Sequence, residues 1–333
     1  MAEFKVEILK ENTEYKELES FLSKSQNCTI FHRPKFLAYH DKAKFSSMNE
    51  FSFRHFVFRN EKSNITAFIP GVEYLSGENK RIYKTPFYSS YGGMVYANQL
   101  KFDDFEKIID LFLDNLRADN FNEIFFTQTA DCYCGDQSEK NNYISYILKL
   151  KGFDLTNIEM ILVKNTEGDF TGNFHSTIQR QIKQALKNDL VFKAEKEIPC
   201  ESYKLLEKSQ TRLGGKPTHS FEELKIIQDL FPENIITFST LHKGKVISGI
   251  IGLLGNQNTL NTFYIYDDEE QRELKGMQFT YYNVLNWAKD RNIKYVDFGP
   301  ATFGLKPHYS LINYKEKYGS IPMLRNTYIV KYE

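Results

Sequence analysis

The stretch Val296–Ser320, VDFGPATFGLKPHYSLINYKEKYGS, decides how the chain is read. Lys294 to Phe298 is a short apolar and β-branched run that predicts a strand, and Gly299-Pro300 stops it abruptly. Polar, aromatic and glycine-punctuated sequence follows. A rigid sheet holds side chains at the carboxyl end of a strand while the loop beyond is free to carry chemistry, which makes Asp297 and the Tyr314-Lys315 pair the candidate catalytic residues. The same pattern also reads as a strand, a turn and an amphipathic helix with Lys315 in water.

Upstream of that stretch, Ile235–Leu241, Val246–Leu254 and Thr259–Tyr266 predict three strands of a meander, and Met277, Tyr281, Leu285 and Ala288 mark a helix. The first half of the chain repeats this order at an offset of roughly 170 to 185 residues. There the predicted strands are Phe51–Arg59, Ile65–Tyr74 and Arg81–Lys84, followed by the loop PFYSSYGG at 86–93. A helix follows over 102–119 on the spacing of Phe102, Phe105, Ile109, Phe112 and Leu116, then a strand at Glu123–Gln128, a helix at Asn141–Lys151 and a strand at Ile158–Lys164. Before all of these, Phe21 to His40 predicts two short helices broken near Asn27 and Pro34. Two copies of one α/β domain, over 1–165 and 166–333, explain the repeat, because each helix then buries its apolar stripe on its own sheet.

Two segments between the halves carry further candidates. In FHSTIQRQIKQALKNDL (174–190), Ile178, Ile182, Ala185 and Leu186 share one helical face, and Arg180, Lys183 and Lys187 lie nearly opposite. Such a basic stripe can hold phosphate, and it can equally be a solvated face. In GGKPTHSFEELKIIQDL (214–230), Ser220 and Glu223 form a capping box, while Phe221, Leu224, Ile227 and Leu230 form the stripe of the helix it starts. That leaves Arg212, Lys216 and His219 beside the double glycine, in a loop able to order over a substrate.

The chain has 333 residues, 41% hydrophobic and 26% charged, enough for two cores of ordinary size. Forty-three basic residues balance 43 acidic ones, so no global field drives DNA binding, and an anionic partner must be held by a local patch. No apolar run long enough to span a membrane is present, and the first residues lack the apolar core of a signal peptide; a cytoplasmic protein is expected, without membrane insertion. Cys28, Cys132, Cys134 and Cys200 are too few and too irregular for a disulfide framework. Cys132 and Cys134 lack a second ligand pair at zinc spacing, so no metal is expected.

These patterns resemble a known family. The order of elements in each half resembles the GNAT acyltransferase fold, and two such domains in one chain resemble the Fem-type aminoacyltransferases and their FemAB-like relatives. The local matches are RQIKQALK at 180–187, PTHSFEEL at 217–224, DFG at 297–299 and YKEKYG at 314–319. The resemblance implies two tandem domains, each a mixed, mostly antiparallel sheet flanked by helices, and a splayed central strand pair that exposes backbone groups to an acyl donor.

The chemistry it implies is transfer of an acyl or aminoacyl group to a primary amine, giving an amide. Lys315, after Tyr314, stands where the family's lysine steadies charge on the attacked carbonyl, and Arg180 where a helix-borne Arg meets substrate phosphate. On this reading Asp297 or the leaving group takes the amine's proton, and Lys183 and Lys187 assist Arg180. Lys216, His219, Tyr264 and the loop residues Tyr91, Gly92 and Gly93 contact substrate, with the first domain as a wall of the cleft. The implied donor is aminoacyl-tRNA or an acyl-CoA, with no permanently bound cofactor. The implied acceptor is a small-molecule or peptide amine, such as a nucleotide-linked peptidoglycan precursor. The helix start QRELKGM (271–277) departs from the glycine-rich turn of acetyl-CoA users, since Gly276 stands alone. An acetyl-CoA-dependent N-acetyltransferase and a non-catalytic ligand-binding protein are the alternatives.

Overall fold

The computed structural model describes residues 3–10, 16–39 and 51–332, so His40, the end of the first expected helical segment, lies outside the described residues. The chain forms two compact units, Met1–Glu159 with Leu324–Glu333, and Met160–Met323. The units divide between Glu159 and Met160, about halfway through the strand Asp154–Asn165 and a few residues before the expected boundary at 165, and the final strand does not stay with the second half. Its residues Thr327–Lys331 pair antiparallel with Glu123–Thr127, which draws the carboxyl terminus back into the first unit.

The first unit contains β1 (Phe4–Leu9), β2 (Phe51–Phe53), β3 (His55–Asn60), β4 (Ile65–Ile69), β5 (Val72–Leu75), β6 (Arg81–Thr85), β7 (Val95–Tyr96) and β8 (Glu123–Thr127). The expected simple meander is not what forms. The runs 51–59 and 65–74 each break in two, so that β3 and β4 join β1 and β7 in one antiparallel sheet, while β2, β5, β6 and β8 form another. Pro70 has no amide proton to continue the ladder. Gly71 turns the corner: its carbonyl accepts from Arg54 N at 2.9 Å, and a Cβ there would meet the Tyr83 hydroxyl at 2.3 Å. The helix Phe102–Ala118 buries Phe105, Ile109, Phe112 and Leu116 as its spacing predicts. Each fully buried side chain of this size contributes about 1.5–3 kcal/mol. This helix crosses between β6 and β8, which are parallel from Ile82↔Glu123 to Thr85↔Phe126. At the start of the unit, Pro34 opens the short helix Pro34–Leu37, where its missing amide is harmless, rather than breaking one.

The second unit holds the later part of β9 (Asp154–Asn165), β10 (Leu190–Glu195), β11 (Ile235–His242), β12 (Lys245–Asn256), β13 (Thr259–Asp267) and β14 (Tyr295–Pro300). Their order is β10-β11-β12-β13-β14-β9, antiparallel throughout except for β13 beside β14. The helices Ser176–Ala185 and Gly276–Asp290 close one face, where Ile178, Ile182, Tyr281, Val284 and Leu285 pack with Phe238, Ile250, Leu260 and Val296. Tyr264 and Tyr266 alternate with Ile265 and point to the other face, against which the helix Cys200–Arg212 lies. Meander, crossover helix and parallel strand thus recur in both units, although the first-unit meander is split between sheets. Among the described residues no helix is long and apolar enough to cross a membrane, and no group of three or more His, Cys, Asp or Glu is placed to hold a metal ion.

Two histidines of the first unit are buried and neutral. His32 donates from Nε2 to Gly92 O at 2.9 Å and accepts from Thr29 N at Nδ1; burial pushes its pKa down to about 4. His55 accepts from Gly71 N at 3.1 Å, and burial pushes it down to about 3. The unfolded chain takes up these protons near the ordinary histidine value of 6.5, so stability held above that pH is lost as the pH falls from there toward 4 and 3. Urea titrations should show the first unit losing about 2 kcal/mol per histidine by about pH 5, and His55→Asn should flatten its share of that slope. A profile unchanged by His55→Asn would contradict the assignment.

Candidate functional site

The parallel pairing of β13 with β14 covers Thr259↔Tyr295, Leu260↔Val296 and Asn261↔Asp297 only, although β13 runs on to Asp267. Beyond Asn261 the two strands diverge, and the β14-facing backbone groups of Thr262–Asp267 are left without that ladder. The divergence is held by side chains. Asn261 Nδ2 donates to Asp297 Oδ2 at 2.9 Å, Gly299 N donates to Asp297 Oδ1 at 2.7 Å, and Thr262 Oγ1 donates to Asp297 O at 3.2 Å. Asp297 is fully buried. Gly299 bends back toward the carboxylate with φ +76°, a left-handed conformation that favours glycine.

The helix Tyr309–Glu316, capped by His308 Nδ1 accepting from Leu311 N at 3.2 Å, delivers Lys315 to this junction. Lys315 is not in water. It is 4% exposed, and its Nζ donates to Gly299 O at 2.9 Å and Pro300 O at 2.8 Å. Burial pulls its pKa down to about 8, and the charge of Asp297 works in the opposite direction. The side chain therefore remains mainly ammonium at neutral pH, with one of its three donors beyond the two carbonyls. Tyr314 is partly buried; its hydroxyl meets that of Tyr318 at 3.1 Å, and burial pushes its pKa up to about 12. Tyr281 stacks edge-on to Phe298 and completes this aromatic side of the junction.

The remaining candidates fall into separate groups. Arg180, Lys183 and Lys187 are exposed on or just beyond the Ser176–Ala185 helix, with no ion pair among the described residues. Lys183, Ile182, Leu186, Phe174 and Tyr282 line a groove of about 320 Å³ on that flank. His219 lies against Tyr264, whose hydroxyl is 3.1 Å from His219 N and 2.8 Å from its Nδ1, and Tyr203 OH donates to His219 O at 2.9 Å. Lys216 is exposed in the same loop, and Arg212 pairs with Asp267 at 2.8 Å. Tyr91, Gly92 and Gly93 belong to the first unit. Tyr91 is 1% exposed and packs on Tyr133, Gly92 O accepts from His32 and Thr129, and Gly93 N donates to Thr85 Oγ1 at 3.0 Å.

Asp297, Tyr314 and Lys315 are thus brought to one place, joined by Asn261, Thr262 and Tyr281, which sequence reasoning missed. The two polar residues interrupt the run TLNTFYIY at 259–266, and that interruption was the available signal. Where the divergent strand leads into the helix Gly276–Asp290, the approach is acidic: Asp267, Asp268, Glu269 and Glu270 follow one another, and Lys208, Arg212 and Arg272 are paired with them. Gly276 faces its own sheet, since a Cβ there would meet Ser248 Oγ at 2.8 Å.

No family model matches the sequence, and no curated protein matches it either. Among solved structures, FemX superposes with a TM-score of 0.70 at 11% identity, over 98% of this chain and 97% of that one. The chain has the Fem-like, double-GNAT fold. The same fold relates it to L-PGS from Bacillus licheniformis, with a TM-score of 0.56 at 12% identity over 96% and 92% of the two chains. A tandem GNAT protein from the clavulanic acid biosynthesis pathway matches with a TM-score of 0.53 at 8% identity, over 99% and 98%. Within this Fem-like fold the divergent strand pair of the second unit is the expected splay. In the first unit the β6–β8 pairing instead continues to Thr85, the last residue of β6.

The buried lysine makes stability depend on pH in a defined direction. The unfolded chain keeps the Lys315 proton up to the ordinary value of 10.5, while the folded protein releases it from about 8, so the unfolded state binds more protons between the two. Relative to Lys315→Met, the wild-type protein should therefore gain roughly 2 to 3 kcal/mol between about pH 7.5 and pH 10.5 in urea titrations. Parallel profiles for the two proteins would show that the amine is not desolvated.

Proposed function

We propose that the protein is an N-acyltransferase of Fem-like type that moves an acyl or aminoacyl group onto a primary amine and forms an amide. The observation that carries this reading is the buried Lys315 ammonium fixed at the open end of a splayed strand pair. Such a gap offers extended backbone to a donor's acyl and amide groups, and a preorganised cation beside it stabilises the charge that develops on an attacked carbonyl oxygen. The neutral amine attacks the carbonyl carbon, a carbon–nitrogen bond forms, and the carbon–oxygen or carbon–sulfur bond to the leaving group breaks. Both Asp297 oxygens accept hydrogen bonds within the junction, which suits that carboxylate to holding the strand ends. The amine's proton then goes to the departing oxygen or sulfur of the donor.

Aminoacyl-tRNA is the donor this reading favours. A pyrophosphate docked at the start of the Gly276–Asp290 helix would meet four consecutive carboxylates whose cationic partners are already paired, and a glycine packed on its own sheet. The acceptor is a small-molecule or peptide amine, and Arg180, Lys183 and Lys187, exposed and without an ion pair among the described residues, suit an anionic portion such as the diphosphate of a nucleotide-linked cell-wall precursor. The second unit, with the splay, is the catalytic one, and a cytoplasmic site of action accords with such substrates.

Amines incubated with charged tRNA or with acyl-CoA mixtures, then analysed by mass spectrometry, should yield amide product with the former. Lys315→Met should fold and lose about 10²–10³-fold in kcat. Full turnover by a folded Lys315→Met protein would remove Lys315 from the mechanism. Product formation from acetyl-CoA alone would replace this reading with that of an N-acetyltransferase.

A further inference from the structure

Amide formation takes two protons from an acceptor that arrives as an ammonium. A primary amine does so at neutral pH, since it keeps its proton up to about pH 10, as a lysine side chain does. One proton must leave before the nitrogen has a lone pair to attack with, and a second leaves once the carbon–nitrogen bond has formed. The departing group of the donor takes the second. The junction residues are ill suited to take the first: both Asp297 oxygens already accept, from Asn261 and Gly299, and Lys315 is itself a cation.

The other lip of the gap carries a base. The register of β12 on β13 shifts by one between Ile251↔Tyr264 and Leu253↔Asn261, which marks a bulge. Ile251 and Leu253 share a face of the sheet, so the bulge brings Asn261 and Tyr264 to one face, although a regular strand would set residues three apart on opposite ones. Asn261 lies opposite Asp297, so Tyr264 stands on the Asp297 face, farther along the diverging strand. His219 rests on that segment, its ring centroid 5.5 Å from that of Phe263 and 6.1 Å from that of Tyr264. A histidine beside a helix cap is often no more than a loop residue, but this one is held through its backbone and its ring. His219 N donates to Tyr264 OH at 3.1 Å, Nδ1 lies 2.8 Å from the same hydroxyl, and Tyr203 OH donates to His219 O at 2.9 Å. Lys315 holds the β14 side of the gap and His219 the β13 side.

The surroundings of His219 favour an added proton. Burial raises the pKa of Tyr264 and pushes that of Tyr203 up to about 12, so both remain phenols at neutral pH. Glu207 of the helix Cys200–Arg212, and Glu222 and Glu223 of the helix Phe221–Leu230, act on Tyr203 by their charge, and Glu223 acts on Tyr264 as well. Nearby carboxylates stabilise an imidazolium. Of the cations in this region, Lys216 is exposed in the loop and Arg212 is paired with Asp267.

We propose that His219, positioned by Tyr264, takes the first proton from the acceptor. On the transferase reading, on which this rests, an N–H bond of the ammonium breaks and its electron pair stays on nitrogen. The proton passes to Nε2 of an imidazole whose Nδ1–H is given to the Tyr264 hydroxyl. The neutral amine attacks, and the imidazolium later returns its proton to water.

Two measurements test this. ¹⁵N NMR of the histidine rings reads the tautomer without turnover, with His219→Gln identifying the resonances. Neutral His219 should carry its proton on Nδ1, and Tyr264→Phe should shift the balance toward Nε2–H; a wild-type ring protonated on Nε2 would overturn the proposal. Turnover is followed with charged tRNA as donor and a lysine-containing peptide as acceptor. His219→Gln should lower kcat by about 10²–10⁴-fold at neutral pH. Relative to wild type, that deficit should shrink as the pH approaches about 10, where the amine arrives neutral, and added imidazole should restore part of it. A deficit constant with pH and indifferent to imidazole would show a merely structural histidine and overturn the proposal, leaving the transferase reading in place. No product from the wild-type protein would instead remove the transferase reading, and the base with it.

Discussion

A lysine side chain held out of water on two backbone carbonyls is the constraint from which the site follows. Nζ of Lys315 lies 2.9 Å from Gly299 O and 2.8 Å from Pro300 O, so the carbonyls that a neighbouring strand might have used are occupied by an ammonium. Removing that ammonium would leave the buried Gly299 carbonyl without this partner, and a buried carbonyl is costly to leave unmet, whereas the Pro300 carbonyl is only partly buried. The lysine therefore secures the end of β14 while standing beside the place where β13 has left it. One residue links the architecture of the sheet to its chemistry.

The strand divergence has a local cause. Asn261 and Thr262 spend their side chains on Asp297, and Asp297 in turn accepts the amide of Gly299, so that the ladder closes on itself instead of continuing. In the first unit β6 and β8 instead pair to the end of β6. Besides the split of the first-unit meander between sheets, the two units differ in this gap, and the candidate chemistry follows the gap. The burial of Tyr91 and the engagement of Gly92 with His32 and Thr129 show that the glycine-containing loop of the first unit is part of its packing.

Much of this order was legible in the sequence because it rests on periodicity. The stripe on Phe102–Ala118, the meander from Ile235 to Asp267 and the strand ending at Gly299-Pro300 are all announced by apolar spacing and turn residues. What failed depended on contacts distant in sequence. The corner at Pro70-Gly71 moves half of one expected strand into a different sheet because of Tyr83 and Arg54, and the last strand returns to the first unit through pairing with residues some 200 positions earlier. The helix Cys200–Arg212 gave no stripe to read, since it buries Ser202 and Ser209 beside Tyr203 and Leu206. At the site, Lys315 and Asp297 were visible as residues at the end of a strand, whereas the roles of Asn261 and Thr262 emerged only from the register of two strands.

The central claim, that Lys315 is a desolvated cation at the strand gap, is tested most directly by NMR titration of lysine side chains labelled with ¹³C, with Lys315→Met identifying the resonance. The account predicts a Lys315 midpoint near 8, set apart from the exposed lysines. A midpoint at the ordinary lysine value would show the amine in water and contradict it.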